Sequence, residues 1–144
     1  MGLGKFEGDP ARDHYGSGKD SYPAEWQAMI DDLKANGVEI IYRDGNLAYS
    51  PEKGKPGQMI LDPDASYSAL KHEYQHYIDN MGNGKLGMGD YLQDPYKRIE
   101  METNAYNKEI ELANEMGNKE LANELEQLKQ NEIDYIIDNY IIEE

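Results

Sequence analysis

The stretch 69–80, ALKHEYQHYIDN, constrains this chain more tightly than any other. Leu70, Tyr74, Tyr77 and Ile78 recur at helical spacing, so the segment reads as a helix whose apolar face packs against a sheet. The same helix carries His72, Glu73 and His76, two of the three histidines in the protein with a glutamate between them. Residues four apart on a helix project from one side, about one turn apart. Any fold that uses this helix must therefore place two imidazoles and a carboxylate together.

The surrounding pattern supplies an α+β order. Residues 1–22, rich in Gly and Asp and without a period, read as an extended arm or linker. His14 lies there and reads as a solvent-exposed histidine. From residue 23 to 144 the chain reads as one domain. Pro23 stands at a first helical position, Trp26, Ile30 and Leu33 recur along one face, and Gly37 follows the end. VEIIYR (38–43) and NLAYS (46–50) flank Asp44-Gly45 and predict a β-hairpin. QMILD (58–62) predicts a third short strand, placed at the sheet edge where it could pair with an extended peptide. Asp64 or Ser66 caps the next helix. A glycine-rich loop, 81–90, has neither a preceding strand nor phosphate-cradle spacing. Two helices follow, from Pro95 to about Met116 and, after Gly117-Asn118, to the acidic C-terminus. The expectation is a short, mostly antiparallel sheet of about three strands packed against the helix of residues 72–76, with C-terminal helices.

Composition removes several function classes. A formal charge of -15 lacks the cationic stripes that neutralise phosphates, which argues against nucleic acid and against anionic membrane surfaces. No apolar run approaches the length needed to span a bilayer, and the N-terminus lacks the pattern of a signal peptide. If the protein is exported, the signal lies elsewhere, on a longer parent polypeptide; otherwise the protein is cytoplasmic. There are no cysteines, so a bound metal must be held by His, Asp or Glu.

His72-Glu73-x-x-His76 has the HExxH form in which both imidazoles reach one Zn²⁺. Glu73, turned by about 100° from His72, stands beside the metal and serves as general base. Hydrolytic zinc sites have a third protein ligand. A histidine at position 82 would complete the extended metzincin form, but that residue is Gly82, and no histidine follows His76. The third ligand is therefore a carboxylate from RIEMETNAYNKEIELANE (98–115). Glu102 is preferred and Glu100 is its competitor. The two point about 200° apart on a helix, and Glu102 lies at the edge of a stripe made by Ile99, Ala105, Tyr106, Ile110 and Ala113. Glu109, Glu111 and Glu115 read as a solvated face. Tyr91, Tyr96 and Tyr106 are candidates for stabilising a developing oxyanion, and Asp79 reads first as an exposed acid, second as a group orienting an imidazole.

LKHEYQHYID followed by RIEMETNAY resembles a gluzincin-type metallopeptidase, nearest to the zincin-like metallopeptidase domains at the C-termini of bacterial polymorphic toxins and in related phage proteins. The resemblance covers roughly residues 38–116. It implies a small zincin-like fold, His72, His76 and Glu102 as zinc ligands, and Glu73 as the general base. It also implies hydrolysis of peptide bonds in a protein or peptide substrate by a toxin or effector domain, delivered as part of a longer bacterial protein and countered by an immunity or inhibitor protein. The competing expectation is an acidic binding module without catalysis, such as an immunity protein or a mimic of nucleic-acid charge.

Overall fold

The computed structural model describes residues 9–141. Its elements run α1 (Pro10–Tyr15), α2 (Gly18–Ser21), α3 (Pro23–Ala35), β1 (Glu39–Tyr42), β2 (Leu47–Ser50), β3 (Gln58–Leu61), α4 (Tyr67–Gly82), α5 (Met88–Leu92), α6 (Pro95–Glu115) and α7 (Lys119–Tyr140). The α+β class, the three-stranded sheet and the C-terminal helices match the sequence expectation. Local chemistry explains the helix ends. Ser66 caps α4 by accepting from the Ala69 N–H, Asp94 caps α6 ahead of Pro95, and Asn118 caps α7 through the Leu121 N–H.

The strand order differs from the expectation. β1 and β2 do not form a hairpin; the order is β1-β3-β2, with β3 parallel to β1 and antiparallel to β2. β3 is thus the central strand rather than an edge. Burial accounts for this. Met59 and Leu61 of β3 are completely buried, whereas β1 has no fully buried residue, so the most apolar strand takes the position covered on both sides. The Asp44-Gly45 turn serves that arrangement. It lies across the end of β3, with the Arg43 N–H donating to the Leu61 carbonyl and the Gly45 N–H to the Asp62 carboxylate. The true hairpin is β2–β3, which closes through Gly57. That residue has φ of +90°, and a Cβ there would stand 2.6 Å from the Tyr49 hydroxyl.

The segment expected as an extended arm is, over residues 9–22, helical and docked onto the domain; residues 1–8 lie outside the described ones. Asp9 accepts from both the backbone N–H and the hydroxyl of Ser66, each at 2.6 Å, and the Gly18 N–H donates to the Ala65 carbonyl. Ala11 is fully buried. These contacts pin the first turn of α4. His14 is exposed, as expected, with its Nδ1 3.1 Å from the Asn118 amide.

Two apolar clusters hold the site-bearing helices. Trp26, Ile30 and Leu33 of α3 meet Tyr49, Met59 and Leu61 of the sheet and Leu70 and Tyr77 of α4. Tyr74 packs against this cluster, but Ile78, expected on the same face, is 42% exposed. On the other side, Tyr106, Ile110 and Ala113 of α6 meet Leu121, Ala122 and Leu125 of α7. No described helix is long and apolar enough to cross a membrane.

Asp62 ties the end of β3 to its surroundings. It accepts from the backbone N–H groups of Gly45 and Asp64 at 3.0 and 2.9 Å and faces Arg12 at 3.4 Å. Burial works against the charged form, but these donors prevail and hold the carboxyl below its ordinary value. A depressed native pKa contributes stability that is full above the unfolded value and is lost as pH falls through the native one. Asp62→Ala should therefore lower unfolding free energy by about 2 kcal/mol at neutral pH. Urea unfolding should show that gap narrowing as the pH is taken down through the native pKa.

Candidate metal centre

α4 presents its polar side to α6. His72 and His76 are buried, with ring centres 4.9 Å apart and edge to face. Glu73 is buried with them, and one donor atom from each of the three lies within 4.8 Å of the other two. α6 brings Glu102 onto the same point. Its Oε1 is 2.7 Å from His76 Nε2 and its Oε2 is 3.7 Å from His72 Nε2. Ala105, fully buried one turn along, has only a methyl side chain, which lets the helices approach closely. Glu100, on the opposite side of α6, is exposed. The four residues singled out in the sequence are thus brought together, and the competitor for the third position stands outside the cluster.

Each member is fixed by a further contact. Glu73 Oε1 accepts from the backbone N–H of Tyr49 on β2 at 2.8 Å, so the sheet sets the carboxylate's position. His72 Nδ1 is 2.9 Å from Glu109 Oε2, and the Ser68 hydroxyl donates to Glu109 Oε1 at 2.7 Å. With Glu109 ionised, Nδ1 carries the proton and Nε2 faces Glu102 and Glu73. Tyr106 packs edge-on against the His72 ring at 4.6 Å. The expectation that Glu109 belongs to a solvated face is wrong: it is 5% exposed and lies on the buried seam. Spacing could have found it, because Glu109 is seven residues past Glu102 and returns to nearly the same side of the helix. Glu111 and Glu115 are exposed, as expected.

The other named candidates do not join the cluster. Asp79 accepts from Gln75 and Asn104, not from an imidazole. The Tyr91 hydroxyl donates to Asn80 in the last turn of α4 and accepts from Asn83 just after it, and Tyr96 is 68% exposed. Among the three tyrosines, Tyr106 is the one in contact with a site residue.

Charge is arranged unevenly. Burial favours neutral His72, but the Glu102, Glu109 and Glu73 carboxylates around it push its pKa up to about 10. Burial dominates at His76 and lowers its pKa. Against burial, His76 and His72 hold Glu102 well below the usual carboxylate range. Glu73 is also lowered against burial, with both imidazoles contributing, whereas burial keeps Glu109 raised.

His76 supplies the test of whether a cation suits these residues. Both its ring nitrogens are buried and, among the described residues, neither makes an aligned hydrogen bond, although Glu102 Oε1 stands 2.7 Å from Nε2. The two atoms face each other across the α4–α6 seam, at a distance that suits either a bond between them or closure on a shared cation. Two imidazole nitrogens and a carboxylate are a donor set that suits zinc, and the residues fit. No protein-family model, curated protein or solved structure matches the chain.

Competition with a chelating dye measures the contribution of each carboxylate to zinc affinity. Glu102→Ala should weaken binding by orders of magnitude, and Glu100→Ala should leave it nearly unchanged. Glu109→Ala should fall between them, about 10- to 100-fold weaker, because it orients His72 without reaching the convergence point.

Proposed function

We propose that this chain is a zinc-dependent peptidase in which His72, His76 and Glu102 hold the metal and Glu73 is the general base. The observation that carries the reading is the convergence of these side chains from two helices on one buried point, where His76 Nε2 and Glu102 Oε1 meet at 2.7 Å. Zinc held there supplies a Lewis acid that makes water a nucleophile near neutral pH and polarises the scissile carbonyl.

The chain's own residues divide the remaining tasks. Glu73 Oε1 accepts from the Tyr49 N–H, and Oε2 lies on the histidine side, 3.8 Å from His72 Nε2. Glu73 takes the proton of the attacking water there and passes it to the leaving amine. Glu109 and Ser68 hold the His72 ring at its far nitrogen, so Nε2 keeps its direction while charge moves nearby. Burial and the surrounding carboxylates raise the Tyr106 hydroxyl's pKa, so it stays protonated at working pH and can donate to a developing oxyanion. A toxin or effector role for the peptidase follows from the sequence resemblance.

Two measurements test the reading. Glu73→Gln keeps an oxygen for the Tyr49 N–H, so it should fold and retain stoichiometric zinc while hydrolysis falls by about 10²–10⁴-fold. A variant that cleaves at the parental rate would falsify the assignment of the base. Zinc that binds only the folded state adds about 4 kcal/mol when it exceeds its dissociation constant a thousandfold. Chelation should therefore lower the melting temperature, and His76→Ala should abolish that response. Protein purified without chelator that neither contains nor takes up zinc belongs instead to the acidic binding-module class.

A further inference from the structure

The two edges of the sheet are finished differently. On β2 the outer side is occupied: the Tyr49 N–H donates to Glu73, and Pro51, which follows the strand, has no N–H. β1 carries no such block. Among the described residues no strand pairs with its outer side, and its register with β3 runs unbroken from Glu39 to Tyr42. The N–H groups of Glu39 and Arg43 donate to Gly57 and Leu61 of the β3 side. By alternation, the N–H and C=O of Ile40 and Tyr42 point away from the sheet. An edge without proline or bulge is a template for another strand.

The side chains say which strand fits. Glu39-Ile40-Ile41-Tyr42-Arg43 complements itself when two copies run antiparallel about Ile41. Glu39 then faces Arg43 of the second copy, Ile40 faces Tyr42, and Ile41 faces its own counterpart. The outward-pointing residues, Ile40 and Tyr42, meet as pairs that exchange both backbone hydrogen bonds. The charged pairs and the isoleucine pair fall at the positions between, where opposed side chains stand closest. A shift of two residues sets a charged side chain against Ile41 and loses both ion pairs. The groups are available for this contact. Glu39 and Arg43 are exposed, Tyr42 is 53% exposed, and Ile40 and Ile41 are half-buried.

We propose that β1 is the interface of a homodimer, in which two copies pair antiparallel through residues 39–43 and join their sheets across a two-fold axis at Ile41. The proposal is independent of the peptidase reading, because β2, on the far side of β3, is the strand that touches the metal centre. The net charge of -15 sets the copies against each other at long range. At an ionic strength of about 0.15 M screening acts over about 8 Å, and the contacts at the edge decide. Strands this short bury little area, which makes the dimer a weak one.

Sedimentation velocity in that buffer, from about 1 to 500 µM protein, should show the parent chain passing from monomer to dimer. Arg43→Glu and Glu39→Arg each set like charges opposite one another, and each should remain monomeric. Mixed in equal amounts, the two variants should form a heterodimer, since every carboxylate then faces a guanidinium. The double variant Glu39→Arg, Arg43→Glu should dimerise by itself. Recovery on mixing also shows that the single variants are folded. A parent chain that stays monomeric throughout overturns the proposal and leaves the edge to a strand of another protein. A dimer unaffected by either single variant forms elsewhere on the surface and overturns it equally. Single variants that stay apart on mixing overturn the antiparallel register.

Discussion

The seam between α4 and α6 is made of charged and polar side chains where most helix pairs of this size would use apolar ones. Ser68, His72 and His76 on one helix meet Glu109 and Glu102 on the other, all largely removed from water. Such a seam tolerates little error. A one-residue slip of α6 would rotate its carboxylates by about 100° and leave buried imidazoles facing apolar surface, which is costly. The rest of the fold can be understood as the clamp that prevents this slip. α3 and the sheet hold α4 from one side, and α7 holds α6 from the other. The docked residues 9–22 fix the start of α4 through Asp9 and Ser66.

The sheet reaches into the seam at one point, the Tyr49 N–H on Glu73. This bond joins the two halves of the architecture, because β2 packs its Tyr49 side chain into the sheet core while its backbone serves the helix. Tyr49 also accepts from Asn80 near the end of α4. One residue of a short strand therefore senses both the middle and the end of the site-bearing helix. A displacement of either end is felt at the carboxylate.

The four long helices were legible in the sequence because their causes are local, whereas α5 (Met88–Leu92) falls in the stretch read as a glycine-rich loop. Pro23 and Pro95 start helices, Ser66 and Asn118 cap them, and apolar positions three and four apart mark the buried faces. The grouping of His72, Glu73 and His76 was legible for the same reason, and Glu102 over Glu100 followed from which side of α6 had to be buried. The strand order was not. Asp44-Gly45 is a hairpin signal, but turn chemistry says nothing about a later strand inserting between its neighbours, and Met59 and Leu61 gain more from a central place than an edge. Glu109 was misread because a glutamate among Glu111 and Glu115 looks solvated until the partner, His72, is known. The Gly- and Asp-rich residues 9–22 lack a period because they dock through caps and backbone groups rather than an apolar stripe.

The placing of β3 between β1 and β2 bears on how the chain comes together during synthesis. β1 and β2 emerge first, yet neither is the other's neighbour, and each acquires its hydrogen bonds only when β3 arrives. β1 and β2 form no ribbon of their own as a halfway stage, so pairing in the sheet waits for β3, which is complete only after Leu61 has emerged. Until then the two outer strands are open edges without partners, the condition in which strands pair with the wrong chain. The brevity of β1 and β2, four residues each, limits that exposure.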